Sequence, residues 1–159
     1  MQTGILVPDN FLILGRTVSN LLKISEAASL AMHTLVFLAA NQDRPVATRE
    51  IAGILNCSEA HLSKVLQRLT KVGLTASTRG PRGGFRLGRP ADRISLLDVY
   101  QEMDGQLAAE DCLLGHRVCG PTGCLLGSLL GNINQQVKDH LSQTKLSNLT
   151  DIFGGCHAD

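Results

Sequence analysis

The chain has 159 residues, 43% of them hydrophobic and 18% charged, with 15 basic against 14 acidic side chains. Such a composition excludes wholesale disorder and collagen-like repeats, and the length is sufficient to bury a core without staples. Aromatic residues make up only 3% and tryptophan is absent, so aliphatic side chains must build that core.

Residues 1–22 read as an N-terminal extension, apolar at Ile5–Val7 and Phe11–Leu14 and broken by Pro8 and Gly15. They lack a basic start, a clean apolar block and a small-residue cleavage site, so no export leader is expected and the protein is placed in the cytoplasm. The longest clean apolar run is Leu35–Ala40, far too short to cross a bilayer, and no membrane partner is expected.

Helix 1 is predicted over Ser25–Ala40, with Ala27, Leu30, Ala31, Leu35 and Leu38 on one face. Thr48 caps a short helix 2 ending at Leu55, and Asn56–Ser58 is a turn. Ser58 caps helix 3, Glu59–Val72, which buries Leu62, Val65, Leu66 and Leu69 and stops at Gly73. Two short helices across a three-residue turn make a helix-turn-helix unit. The outer face of helix 3 carries His61, Lys64, Arg68 and Lys71. Leu74–Arg79 and Phe85–Leu87 read as a hairpin around Arg79-Gly80-Pro81-Arg82-Gly83-Gly84, placed where a wing belongs. Ser95 and Asp98 form a capping box opening a helix to Met103. A long C-terminal helix is predicted, with an apolar stripe of Leu126, Leu130, Ile133, Val137 and Leu141, and a tail that is loose from Asn148.

Charge is unevenly spread. Ser58 to Arg93 holds eight basic and two acidic side chains, a local +6 that leaves −5 for the rest. A basic segment on a nearly neutral protein is the footprint of a polyanion binder, with a merely solvated charged face as the bland alternative.

Five cysteines without an export leader argue for metal or redox use of thiols rather than a disulfide framework. Cys112, Cys119 and Cys124 fall in a loop with Gly115, Gly120, Pro121 and Gly123. Thiolates select zinc, copper(I) or iron–sulfur. The zinc-finger C-x2-C pair is missing, and the wider spacing suits a larger object, but the spacing equally admits a redox-active thiol set. Cys57 reads as a packed turn residue. No Ser–His–acid set, paired carboxylates or phosphate-cradling loop stands at useful spacing, so no enzyme is expected.

The residues Leu22-Lys23-Ile24-Ser25, Leu69-Thr70-Lys71-Val72-Gly73-Leu74, the wing Arg79–Leu87, Leu97-Asp98-Val99 and the three-cysteine loop together resemble the Rrf family of winged-helix transcriptional regulators, in its IscR/NsrR-like branch, over about Leu22 to Leu149. The resemblance implies a mainly α fold with a small β-hairpin wing: a winged helix-turn-helix plus a long C-terminal dimerisation helix. The implied organisation is an extension at 1–22, a DNA-binding domain at 23–104, a cluster-binding loop at 105–123, a dimerisation helix at 124–147 and a flexible tail at 148–159. It implies a homodimer on a pseudo-palindromic double-stranded DNA operator, and a 2Fe–2S or 4Fe–4S cluster held by Cys112, Cys119 and Cys124. The position where some relatives carry a fourth ligand is Gly127 here, which leaves His33, His116 and Glu26 as candidates.

The expected DNA contacts are Arg49, Ser58, His61, Ser63, Lys64 and Arg68 from the helix-turn-helix, and Arg79, Arg82 and Gly83 from the wing. The expected function is a repressor-type regulator whose operator affinity follows cluster state. The rivals are the same fold with a thiol–disulfide switch or zinc, and, more distantly, an iron–sulfur carrier.

Overall fold

The computed structural model describes residues 24–80, 83–107, 120, 126 and 128–153. The expectations for residues 1–22, for Arg82 and for the three loop cysteines therefore lie outside the described residues.

Helix α1 (Glu26–Ala40) opens at Ser25, whose hydroxyl accepts from the Ala28 amide at 3.0 Å. The sequence marks one apolar face on α1, but Met32, Val36 and Phe37 are buried as well. Later elements pack around α1 on several sides: the helix at Glu59–Lys71, the strand at Gly84–Leu87, the helix at Leu96–Asp104 and the chain end all reach it. Helices α2 (Thr48–Ile54) and α3 (Glu59–Lys71) follow, with Ala47 rather than Thr48 at the first cap. Leu62, Val65, Leu66 and Leu69 are buried at the predicted spacing. Each such side chain is worth about 1.5–3 kcal/mol of transfer free energy.

Strands β1 (Thr75–Thr78) and β2 (Gly84–Leu87) pair antiparallel, with Thr75 opposite Leu87 and Ser77 opposite Phe85. Val46, upstream of α2, adds a one-residue bridge on the other edge of β2, bonding Phe85 in both directions at 2.9 and 2.8 Å. That pairing ties the wing to the loop before α2.

A 3₁₀ turn at Ala91–Arg93 leads into α4 (Leu96–Asp104), which carries the predicted Ser95–Asp98 capping box. Helix α5 (Leu129–Gln143) has 15 residues, about 22 Å of helix. On α5 only Leu141 is buried; Leu130, Ile133 and Val137 are half-buried and Leu129 is 52% exposed. Beyond α5 the chain returns to the core. Leu96 N–H donates to Thr144 O and Leu146 N–H to Ile94 O, each at 3.0 Å. Two further 3₁₀ turns, Leu146–Asn148 and Thr150–Phe153, end with Phe153 edge-on to Phe37, ring centres 5.5 Å apart. The tail expected to be loose from Asn148 is thus packed through Phe153. The sequence conceals this because the anchor is two aromatic rings far apart in the chain.

Candidate nucleic-acid interface and the approach to the cysteine loop

The turn between α2 and α3 is closed by Asn56 at φ 48°, a left-handed conformation that Asn tolerates better than most residues. Cys57 N–H donates to Ala52 O at 3.0 Å, which fixes the angle between the two helices. Cys57 itself is a free, half-buried thiol, pushed up in pKa first by burial and then by the nearby Glu26 carboxylate. It is a packed turn residue, as its position implied. Ser58 is exposed and caps α3 by accepting from His61 N–H at 3.4 Å.

The outward side of α3 presents Lys64, Arg68 and Lys71, all exposed. Ser63 and His61 are only partly exposed, on its flanks. His61 Nδ1 lies 3.7 Å from Glu26 Oε1, so Glu26 stands beside the third helix at the start of α1. Arg49 is exposed on α2 and Arg79 at the end of β1. Gly83 N–H donates to Gly80 O at 2.9 Å in the wing turn. A Cβ on Gly83 would fall 2.3 Å from Thr78 O, so the turn closes only with glycine there.

The +6 segment divides once partners are known. Arg86 donates to Gln42 O and Asp43 O at 3.2 and 3.3 Å, holding the loop after α1. Arg89 donates to Val72 O at 2.8 Å and satisfies a carbonyl at the end of α3. Arg93 lies 3.9 Å from Asp92. Lys64, Arg68, Lys71 and Arg79 have no ion-pair or hydrogen-bond partner among the described residues, which leaves their charges free for an outside anion. Sequence reasoning missed Gln67, exposed between Lys64 and Lys71 on the same side; its place in the helical period was the available signal.

The segment that leads to the cysteines starts at Gly105, at φ 85°, directly after Asp104. The Asp104 carboxylate accepts from Ser25 N–H at 2.8 Å and from Ser25 Oγ–H at 2.5 Å. The last residue of α4 thereby holds the cap of α1, one residue from Glu26. Of the fourth-ligand candidates, His33 is exposed on α1 with Nδ1 2.7 Å from Ser29 O, and His116 lies outside the described residues. A carbonyl can only accept, so Nδ1 carries a proton there, and in the neutral ring Nε2 is the nitrogen left with a lone pair. Among the described residues no three His, Cys, Asp or Glu side chains cluster to hold a metal ion. No described helix is long and apolar enough to cross a membrane.

Comparison with known proteins is consistent with this architecture. Residues 24–152 match the model of the Rrf2 family, described as iron-dependent transcriptional regulators. The transcriptional regulator IscR of Vibrio campbellii is 30% identical over 129 residues, 80% of this chain and 77% of that one. Among solved structures, CymR, the global cysteine regulator of B. subtilis, superposes with a TM-score of 0.68 at 26% identity, covering 82% of this chain and 98% of its own. IscR of T. potens shares the fold, with a TM-score of 0.64 at 22% identity over 87% of this chain and 93% of its own. The α2–turn–α3 unit with its hairpin is therefore a winged helix, the expected fold, and the relatives regulate transcription rather than catalyse reactions. This chain belongs to the Rrf2 family of winged-helix transcriptional regulators.

Proposed function

We propose that this regulator is a homodimer whose operator affinity follows the state of an iron–sulfur cluster held by Cys112, Cys119 and Cys124. The observation that carries the reading is the set of three thiols between α4 and α5, in a chain 30% identical to IscR and matched by an iron-dependent family. The donor set fits such a group: three soft thiolates on glycine-rich chain, with His33 Nε2 uncommitted as a further donor on α1. When bound, a cluster supplies an oxidant- and nitric-oxide-sensitive centre.

The protein's own residues do the rest. Helix α3 lies in a major groove, with Ser63 and Lys64 toward bases, Arg68 toward phosphate and His61 at the flank. Arg49 and Ser58 stand at the helix entry. Arg79, Arg82 and Gly83 bring the wing to the adjacent minor groove, where Arg suits a narrow width. The half-buried stripe Leu130, Ile133 and Val137, with exposed Leu129, supports pairing of α5 with a second copy. Two copies then take a pseudo-palindrome with half-sites about one helical turn apart. The Asp104–Ser25 contact gives the loop a route to α1 and to Glu26 beside α3.

A second reading has its own support. Three thiols within 13 residues, Cys112 to Cys124, also suit a thiol–disulfide switch on the same residues, without a cluster. Anaerobic purification separates the two. A coloured protein with stoichiometric iron and sulfide, bleached in Cys119→Ala and binding an operator differently from the apoprotein, upholds the cluster. A colourless protein with fully titratable thiols, or with bound zinc alone, refutes it.

A further inference from the structure

Helix α3 turns about 100° per residue. Ala60, Lys64, Gln67 and Lys71, at i, i+4, i+7 and i+11, therefore form one row opposite buried Leu62, Val65, Leu66 and Leu69. All four are exposed. The Gln67 amide has no hydrogen-bond partner among the described residues. Some other amides are engaged, with Asn41 donating to Phe37 O, Gln42 to Ala39 O and Gln135 to Asp139 at 2.9, 2.9 and 2.8 Å, while exposed Gln136 and Gln143 are, like Gln67, without a side-chain partner among the described residues. The row is thus a methyl, an ammonium and a free carboxamide, followed by a second ammonium at the helix C-terminus.

We propose that Gln67 is a specificity-determining residue that takes an adenine, beside a guanine taken by Lys64; this rests on α3 being the groove-reading helix. A carboxamide offers one donor and one acceptor in a plane, which match adenine N7 and N6–H. The Lys64 ammonium donates only, which suits guanine O6 and N7. Ala60, with a single methyl, lets the N-terminal turn of α3 approach the groove floor. Three residues separate Lys64 from Gln67, about 4.5 Å along the helix. One base pair rises about 3.4 Å, so the two bases are adjacent or one pair apart. Lys71, at the end of the row, meets phosphate. Gln67 is exposed and makes no hydrogen bond among the described residues, so its removal is expected to leave the fold intact.

The test is selection of binding sites from a randomised duplex library by the full chain, repeated with Gln67→Ala and Lys71→Ala. Wild type selects half-sites with a guanine and an adenine adjacent or one apart. Gln67→Ala loses the preference at the adenine alone, binds the wild-type site about tenfold less tightly and melts as wild type does. Replacing that adenine by 7-deazaadenine, which removes N7, weakens wild type and leaves Gln67→Ala unaffected. Lys71→Ala weakens all sequences alike and lowers the salt slope by about one. If Gln67→Ala selects the same site with the same affinity while Lys71→Ala binds more weakly, Gln67 is merely solvated and the proposal is overturned. If wild type binds no duplex, the underlying reading of α3 fails instead.

Discussion

Replacing Asp104 by alanine should loosen the junction between α4 and α1. Its carboxylate accepts two bonds from Ser25, at 2.8 Å from the backbone N–H and 2.5 Å from the hydroxyl. A hydrogen bond to a charged group contributes about 1.5–3 kcal/mol when well shielded. Both bonds here are solvent-exposed, so their sum is taken at about 1.5–2 kcal/mol. A carboxylate at the positive end of α1 adds about 0.5 kcal/mol. The expected loss for Asp104→Ala is therefore about 2 kcal/mol, a fall in Tm of about 5–8 °C for a domain of this size. Asp104→Asn keeps an acceptor for the Ser25 amide but loses the charge, and should cost about half as much. Ser25→Ala removes the hydroxyl contact together with the cap on Ala28. A double-mutant cycle of Ser25→Ala and Asp104→Ala, measured by urea denaturation, should return a coupling of about 1 kcal/mol. Additive single-mutant costs, within about 0.3 kcal/mol, would refute the contact.

Two other measurements bear on the core and the caps. The Thr34 hydroxyl is fully buried on α1 and has no hydrogen-bond partner among the described residues, so Thr34→Val should raise stability by about 1 kcal/mol in the same denaturation assay, and a loss would mean the hydroxyl is satisfied. Asp98 is partly desolvated, which raises its pKa, but its bonds with Ser95, helped by Lys145 and Arg89, hold it below the usual carboxylate value. A depressed carboxylate stabilises the fold above its unfolded pKa of about 3.9 and loses that contribution as pH falls through the folded value. Asp98→Asn should therefore flatten the acid limb of a Tm-against-pH profile below about pH 4, and an unchanged limb would exclude Asp98 as a contributor.

Much of the DNA-reading half was legible in the chain because its signals are local. The Ser58 cap, the i, i+3, i+4, i+7 apolar set of α3, Gly73 at φ 73° and the Ser95–Asp98 box all act within one or two helical turns. The roles of Cys112, Cys119 and Cys124 rest on residue type and spacing, and those residues lie outside the described ones. Gln67 was overlooked because attention to charge passes over a neutral amide, although its place in the helical period is visible in the sequence.

By itself, then, the sequence determined the helix-turn-helix, the wing and the thiol set, since short-range spacing and capping need no knowledge of distant partners. Only the tertiary structure decided which arginines are free. Arg86 is bound to carbonyls more than 40 residues away and Arg89 to the end of α3. It also decided that α1 is buried beyond its one predicted face, that Val46 bridges to the wing, and that the chain end packs on Phe37. Ser25 and Asp104 meet across 79 residues. A side chain's partner at such separation is set by how helices pack in space, and local periodicity carries no record of that.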